Sequence, residues 1–385
     1  MKRKICIVTG SRAEFGQLSV LLDEIIAQPD MQAMLIVTGS HLAPSFGSTR
    51  SEIVASGYTI DAEVEMLLAS DTASGMSKSI GLGIIGFTDA LEHLKPDIVV
   101  VLGDRFEIFA ATTAAISLGV PVAHLHGGEV SEGLVDEFFR HAITKLSQLH
   151  FVAAEPYRQR VVQMGEHPSR VFLVGALGAD AILRTSFLDR ASFESAMDFR
   201  LRDRLILVTY HPETATGADA RVAITELVAA LESFDDASII VTGVNADAGH
   251  DVIQNMLRAF AERHSGRVLM RNSLGHRLYI SAMALADVVV GNSSSGIIEA
   301  PVLRVPTVNI GDRQRGRLRT ASIIDCPAER LAISSAISRA LVPTFRTQFP
   351  ENLHPYGSGD ACRNIVNELR KVKLSDLRMK AFYNL

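Results

Sequence analysis

Short apolar runs alternate with longer amphipathic segments along the whole chain of 385 residues. The runs are rich in Val and Ile and apolar at consecutive positions, which is typical of parallel strands buried on both faces. The predicted strands are Ile5–Thr9, Met34–Thr38, Ile98–Leu102, Val120–Leu125, Leu149–Val152, Val171–Val174, Leu205–Thr209, Ser238–Val241, Val268–Met270, Val288–Val290, Thr307–Ile310 and Ser322–Ile324. The segments between them have the spacing of helices, so the pattern predicts parallel sheets covered by helices on each face.

The two halves of the chain repeat one pattern. Residues 96–104 and 286–292 each form an apolar run with a polar end, and each precedes a helical segment and a second, similar strand. We therefore predict an α/β fold of two Rossmann-like, doubly wound domains with a boundary near residues 175–179. By analogy the layout is GT-B-type, with a cleft between the domains. The predicted ranges are 1–176 for the N-terminal domain, 177–356 for the C-terminal domain, and 357–385 for a helix that packs back on the first domain.

Composition restricts the partners more than the fold. Hydrophobic residues make up 47% and charged residues 21% of the chain, as in ordinary globular proteins. The net charge of −5 gives no general attraction to nucleic acids or anionic membranes, so we expect neither as a partner.

The cysteines and the N-terminus favour a cytoplasmic protein. Cys6, Cys326 and Cys362 are too scattered for a disulfide framework or a zinc site, and the apolar run after MKRK is too short for a signal peptide. No H-x-x-x-H or D-x-D spacing suggests a metal, and the first glycines do not form the G-x-G-x-x-G of a dinucleotide site. We expect neither a metal nor a cofactor.

Polar motifs stand where the predicted strands stop. Ligands of doubly wound sheets bind outside the carboxyl ends of the strands, so these motifs are the candidates for a site. They are TGSRAEFG at 9–16, GDRFE at 103–107, HLHGGE at 124–129, YHPE at 210–213, GNSSSGIIE at 291–299 and GDRQRGR at 311–317.

The segment 291–299 is the best candidate for binding an anion. It leaves a strand and opens a helix, where free backbone N–H groups face a ligand. Ser293, Ser294 and Ser295 can donate hydroxyls to phosphate oxygens, and Gly296 permits close approach of the backbone. Glu299, one helical turn further, can accept a pair of ribose hydroxyls. The alternative is a structural helix with an Asn or Ser N-cap.

Other strand ends supply single candidates, each with a structural alternative. Arg12 follows the first strand, and Arg313 is the member of the 313–319 arginine cluster nearest its strand, although arginines in turns are often solvated. Asp104 could be a helix N-cap, with Arg105 beside it as a substrate-binding candidate. His211 could be a hydrogen-bonded core residue.

The segment 124–141 has the densest group of acids and bases. Two glycines follow the strand that ends at Leu125, and the charged residues after them are Glu129, Glu132, Asp136, Glu137, Arg140 and His141. On a helix, Asp136 and Arg140 lie four positions apart and share a face. We expect His124 to point into the core, and the same structural alternative applies to His126.

Taken together, these motifs resemble the hydrolysing nucleotide-sugar 2-epimerases of sialic and related nonulosonic acid synthesis. The resemblance runs nearly end to end, through HGGEVSEGLVDEFFRHAITK and GNSSSGIIEAP. It implies that UDP-N-acetylglucosamine loses its C2 proton and UDP to give 2-acetamidoglucal, and that water then adds to give N-acetylmannosamine. It also implies a UDP-sugar as partner and a homodimer or homotetramer.

The resemblance also assigns roles to the candidates. Asp104 and Asp136 match catalytic acids, and Arg140 matches a catalytic or positioning arginine. His211 matches a histidine near the phosphates and the leaving group. The positions that match nucleotide or diphosphate contacts are Arg12, Ser293, Ser294, Glu299 and Arg313.

Position 126 departs from the family pattern. Family members that act on UDP-N-acetylglucosamine often read H-I-E-G-G-E, where the first glutamate is catalytic, and this chain has His126 there. Either His126 or Glu129 takes over as the acid/base, or the sugar differs. UDP-N,N'-diacetylbacillosamine is the alternative substrate. A GT-B glycosyltransferase and a non-catalytic nucleotide-sugar binding protein are the alternative functions.

Overall fold

A computed structural model describes residues 2–44, 49–70, 72–131, 135–213, 220–243, 250–350, 355–357 and 359–385. All the predicted strands are present, with bounds that differ by no more than three residues. The strands are β1 Arg3–Thr9, β2 Met31–Thr38, β3 Ala62–Val64, β4 Ile98–Leu102, β5 Val122–Leu125, β6 Leu149–Val152, β7 Val171–Leu173, β8 Arg204–Thr209, β9 Ala237–Thr242, β10 Val268–Arg271, β11 Val288–Gly291, β12 Thr307–Ile310 and β13 Ile323–Cys326.

The strands form two parallel sheets. The first has the order β3-β2-β1-β4-β5-β6-β7 and the second the order β10-β9-β8-β11-β12-β13. In both, the order reverses beside the first strand of the sheet, which is the topology of a Rossmann fold. The prediction of two Rossmann-like α/β domains is confirmed.

Helices cover both faces of each sheet, as the apolar runs predicted. The helices are α1 Arg12–Ile26, α2 Arg50–Ala55, α3 Ala73–Leu94, α4 Phe106–Ser117, α5 Asp136–Leu146, α6 Glu155–Gln163, α7 Leu177–Arg184, α8 Arg190–Met197, α9 Ala220–Leu231, α10 His250–Arg263, α11 Gly275–Leu285, α12 Ser294–Ile298, α13 Arg330–Ala340, α14 Pro343–Thr347 and α15 Ala361–Lys371. Alternate residues of β1 face different layers: Ile5 and Ile7 pack with α1 and α15, and Cys6 and Val8 pack with α3 and α4.

The chain divides into two compact units. The N-terminal unit comprises Met1–Glu129, Asp136–Leu183 and Tyr356–Leu385, and the C-terminal unit comprises Val130–Val135 and Arg184–Pro355. Within the N-terminal unit α15 packs against α1. The buried Asp180 accepts the N–H groups of Ala361 at 3.0 Å and Cys362 at 2.9 Å, which caps the start of α15.

The strand β3 was not predicted from the sequence. It has three residues, and Glu63 at its centre forms an ion pair with Arg50 at 2.6 Å. A strand this short, with a charged residue in the middle, carries no apolar run to detect. Among the helices of the described ranges, none is long and apolar enough to cross a membrane.

Candidate active site

The carboxyl ends of β4 and β5 bring Asp104 and His126 to the same edge of the first sheet. The two strands are neighbours, with Leu102 opposite Leu125, and the Gly103 N–H donates to the Leu125 carbonyl at 3.0 Å. Gly103 has φ 80° and His126 has φ 62°, so the chain turns sharply at both strand ends. One interpretation of the sequence made Asp104 the N-cap of α4. The N-cap is instead Arg105, and Asp104 lies one residue before it.

Arg140 on α5 places a fixed positive charge between two carboxylates. Its side chain is buried, its Nη2 forms an ion pair with Asp104 Oδ2, and its Nη1 lies 3.8 Å from Glu129 Oε2. An arginine side chain stays protonated in proteins. The arrangement therefore holds two acids of the candidate site around one permanent cation.

His126 and Glu129 form a buried dyad. His126 Nδ1 lies 2.6 Å from Glu129 Oε1, and the backbone N–H of Leu177 donates to His126 Nε2 at 3.3 Å. Because Nε2 accepts, the proton of the neutral ring is on Nδ1 and is donated to Glu129. Both nitrogens of the ring thus have partners within the protein.

His124 lies in the core, as expected. It is completely buried on β5, and burial lowers its pKa to about 3, so the ring is neutral. Its Nε2 donates to the Gly103 carbonyl at 2.7 Å, and the Thr144 hydroxyl therefore donates to Nδ1 at 3.1 Å. His124 thus links α5 to the residue before Asp104.

Arg105 forms an ion pair with a buried carboxylate that was not among the residues predicted from the sequence. Glu107, fully buried in α4, accepts Arg105 Nη2 at 3.1 Å. Glu14 of α1 lies near both side chains and accepts the Gly10 N–H at 2.7 Å. Burial raises the pKa of Glu14 to about 7, with Arg105 opposing and Glu107 adding to the shift. The sequence does contain a signal for Glu107, because it is the single acid within the apolar helical segment 106–117.

Asp136 and Arg12 both stand at the start of a helix. Asp136 is half-buried and opens α5 one turn before Arg140, so the expected shared face is present. Arg12 is the first residue of α1, with Nη1 4.0 Å from Glu52 Oε1. Glu132, from the same charged segment, lies outside the described residues.

In the C-terminal unit, Asn292 ties together three strand ends. Its Oδ1 accepts the His211 N–H at 2.7 Å, and its Nδ2 donates to the His211 carbonyl at 2.8 Å. Its own carbonyl accepts Gln314 Nε2 at 2.8 Å and Arg313 Nη1 at 3.3 Å. Asn292 is fully buried and His211 nearly so. The sequence pattern suggested only an N-cap role for Asn292, although an amide directly after a buried strand can bridge backbone groups.

Gly291 lets β11 approach β8 closely. A Cβ at this position would lie 1.9 Å from the Thr209 carbonyl oxygen, and its φ is 139°. After Asn292 the chain enters the short helix α12. Only glycine permits this close approach, which brings His211 and the serines together within one unit.

The serines at 293–295 lie at the start of α12. Ser293 is the N-cap of α12 and its hydroxyl accepts the Ser295 N–H at 3.4 Å. All three side chains keep partial exposure, while Gly296 is buried. Glu299 is the buried C-cap of α12, one helical turn after Ser295, whose carbonyl accepts the Glu299 N–H at 2.9 Å.

The sequence matches known proteins over most of its length. The family model described as UDP-N-acetylglucosamine 2-epimerase matches residues 23–370. The chain belongs to the UDP-N-acetylglucosamine 2-epimerase family.

Three relatives of this family member are informative. A GDP/UDP-N,N'-diacetylbacillosamine 2-epimerase (hydrolyzing) from Campylobacter jejuni is 41% identical over 84% of each chain. A UDP-N,N'-diacetylbacillosamine 2-epimerase (hydrolyzing) from Legionella pneumophila is 38% identical over 89% of each chain. The polysialic acid biosynthesis protein P7 from Escherichia coli is 36% identical and covers 100% of this chain and 98% of its own. The prediction of a nucleotide-sugar 2-epimerase is confirmed at the level of the family.

Solved structures of the family share the fold. UDP-GlcNAc 2-epimerase from Neisseria meningitidis, crystallised with UDP-GlcNAc, has a TM-score of 0.80 at 21% identity and covers 97% of this chain and 100% of its own. The enzyme from Methanocaldococcus jannaschii in complex with UDP-GlcNAc and UDP has a TM-score of 0.77 at 20% identity, with coverage of 97% and 100%. This likeness supports the two Rossmann-like domains.

Proposed function

We propose that the protein is a hydrolysing 2-epimerase of a UDP-linked 2-acetamido sugar. The reaction converts the UDP-sugar and water into UDP and the free sugar with inverted C2. The observation that carries the proposal is the buried cluster of the N-terminal unit, in which Arg140 lies between Asp104 and Glu129, and Glu129 accepts a hydrogen bond from His126.

The reaction needs two proton transfers and a stabilised leaving group. First a base removes the C2 proton while the C1–O bond to UDP breaks, which gives a 2-acetamidoglucal. Water then adds its hydroxyl at C1 and a proton arrives at C2 from the opposite face. A carboxylate held beside a fixed cation stays ionised and can act as a base, and the cation stabilises the carboxylate again once the proton has been given back.

We assign the proton transfers to the acids of the N-terminal unit. Asp104 and Asp136 are the catalytic acids that the family resemblance implies, and Arg140 positions Asp104. Position 126 has a histidine where the family pattern has a catalytic glutamate, and we assign the acid/base role to Glu129 instead. Both nitrogens of His126 already have protein partners, so His126 orients Glu129 by donating from Nδ1.

We assign the nucleotide to the C-terminal unit. Ser293, Ser294 and Ser295, with the Gly296 turn, supply hydroxyl and backbone donors for the diphosphate. His211 and Arg313 supply further donors, and both are tied to Asn292. Glu299 accepts from the ribose. In the N-terminal unit, Arg12 and Arg105 are substrate-binding residues.

The relatives favour UDP-N,N'-diacetylbacillosamine as the substrate. The two relatives at 41% and 38% identity carry that sugar in their names. A UDP-N-acetylglucosamine 2-epimerase from Neisseria meningitidis serogroup B is 32% identical over 88% of each chain, so UDP-N-acetylglucosamine is the second candidate. The exchange of a family glutamate for His126 agrees with a sugar other than N-acetylglucosamine.

A substrate panel in D₂O tests the proposal. The purified protein is incubated with each UDP-sugar, and products are followed by NMR. We expect release of UDP together with a sugar deuterated at C2 and inverted there, fastest with UDP-N,N'-diacetylbacillosamine. Epimerisation with UDP still attached contradicts hydrolysis, and UDP release that needs an added acceptor sugar indicates a glycosyltransferase.

Three further predictions belong to the proposal. The sequence pattern predicts functional domains that divide at residues 176 and 356. The scattered cysteines predict a cytoplasmic location, and the family resemblance predicts a homodimer or homotetramer. Light scattering coupled to gel filtration measures the oligomeric state directly.

A further inference from the structure

The C-terminal end of α5 is held by a lysine from the end of the chain. Lys380 Nζ donates to the carbonyls of Lys145 at 2.6 Å, Thr144 at 3.3 Å and Ser147. The last carbonyls of a helix have no partners within it and carry its negative dipole end, so an ammonium group there stabilises the helix end. This is the helix that carries Asp136 and Arg140.

A buried glutamate anchors that lysine. Glu166 Oε2 lies 2.8 Å from Lys380 Nζ and 2.9 Å from His150 Nε2, and its Oε1 accepts Lys145 Nζ at 2.6 Å. Burial raises the pKa of Glu166, but the hydrogen bonds from His150, Lys145 and Lys380 outweigh it and lower the pKa to about 2. The carboxylate is therefore charged at neutral pH.

Aromatic residues beyond Lys380 complete the attachment. The Phe382 ring lies with its centroid 4.9 Å from Lys145 Nζ. It also packs on Gly165, where a Cβ would lie 2.3 Å from the ring. The Tyr383 N–H donates to the Gly165 carbonyl at 2.9 Å. We call residues 380–383 the C-terminal latch.

A chain of hydrogen bonds leads from the latch to Asp104. Lys380 binds the Thr144 carbonyl, the Thr144 hydroxyl donates to His124 Nδ1, and His124 Nε2 donates to the Gly103 carbonyl. Asp104 is the next residue, and it pairs with Arg140 on the same helix α5. The position of Asp104 relative to Arg140 thus depends on how the C-terminal end of α5 is held.

We propose that the C-terminal latch positions the acid cluster, with Lys380 as a positioning residue for Asp104 and Arg140. The proposal rests on the proposed function, because its effect on turnover assumes that these two residues take part in proton transfer. It requires the latch to act on turnover and not on nucleotide binding, since the serines 293–295, His211 and Arg313, which we assign to the diphosphate, are in the other unit.

Substitution of Lys380 in the full-length protein tests this. Lys380→Met keeps a four-atom unbranched stem and removes the ammonium group, and Lys380→Arg restores a cation. Lys373→Met is the control, since Lys373 is an exposed lysine seven residues earlier in the chain. Three quantities are measured: kcat and KM with the preferred UDP-sugar, the Kd for UDP by calorimetry, and deuterium exchange of the amides at 143–147.

We expect Lys380→Met to lower kcat about tenfold, with KM and the Kd for UDP within twofold, and to speed exchange at 143–147 about tenfold. Lys380→Arg should bring kcat back to within threefold of the wild type, and Lys373→Met should match the wild type. Unchanged kcat in Lys380→Met, or an equal loss of UDP affinity, overturns the proposal. If the wild type turns over no UDP-sugar, the proposed function fails, and the exchange rates then decide the latch: faster exchange supports it and unchanged exchange overturns it.

Discussion

The two Rossmann-like units use the carboxyl ends of their strands differently. The N-terminal unit collects a cluster of ionisable side chains there, in which Arg140 pairs with Asp104 and Glu129, and Glu129 bonds with His126. The C-terminal unit has Arg313 at its strand ends together with neutral groups, since the Asn292 amide fixes His211 and serines lead into α12. One fold therefore supports two kinds of chemistry, which are set by the residues that follow the strands.

On the proposed function, the difference separates proton transfer from anion binding. A proton carrier must be titratable and held close to a compensating charge, which the N-terminal cluster provides. A diphosphate needs several oriented donors, and hydroxyls beside a helix start provide them without changing charge. Changes in the first cluster should therefore act on kcat, and changes in the second on affinity for UDP.

The largest expected effect comes from Asp104→Asn. The amide cannot take a proton and loses the ion pair with Arg140, so kcat should fall about 10³-fold. The Kd for UDP should stay within twofold of the wild type, as measured by calorimetry. Asp89→Asn, at an exposed position of α3, is the matched control. A kcat within tenfold of the wild type would remove Asp104 from the chemistry.

The second comparison is within the dyad. Glu129→Gln should lower kcat about 10²-fold or more, because the proton carrier itself is lost. His126→Asn should cost about tenfold, because only the orientation of Glu129 is lost. Asparagine suits this position, since it tolerates the positive φ of residue 126 better than most residues. The reverse order of the two kcat values would make His126 the acid/base.

The sequence was sufficient for the fold class because every strand of the two sheets except β3 is an apolar run that can be recognised along the chain. It also predicted that the polar motifs follow the carboxyl ends of the strands, where parallel topology places ligands. It could not reveal the tautomer of His126, which depends on the N–H of Leu177, 51 positions further along the chain. The contacts of Lys380 could not be predicted for the same reason, since its partners Thr144 and Lys145 are brought close only by tertiary packing.

A smaller effect is expected in the C-terminal unit. Ser294→Ala removes one neutral hydroxyl, and such a hydrogen bond contributes about 1 kcal/mol, so the Kd for UDP should rise about fivefold with kcat unchanged. Calorimetry and steady-state rates measure the two quantities. Ser265→Ala, at an exposed position of the same unit, should leave both unchanged. An unaltered Kd in Ser294→Ala would argue against the phosphate assignment.

The smallest expected effect concerns the pH dependence of stability in the N-terminal unit. Burial raises the pKa of Glu14 to about 7 from an ordinary 4.5. A carboxyl with a raised pKa in the folded state favours folding below pH 4.5, and this contribution is lost as the pH rises from 4.5 through 7. Glu14→Gln stays neutral and can still accept the Gly10 N–H, so it should raise the Tm at pH 8 by about 2–4 °C and much less at pH 5.

Thermal unfolding at the two pH values, with Glu92→Gln on the exposed side of α3 as control, separates this effect from a general one. The control variant should unfold like the wild type at both pH values. If Glu14→Gln changes the Tm equally at pH 5 and pH 8, the carboxyl does not titrate between them. The contrast in titratable groups between the units would then be confined to the cluster around Arg140.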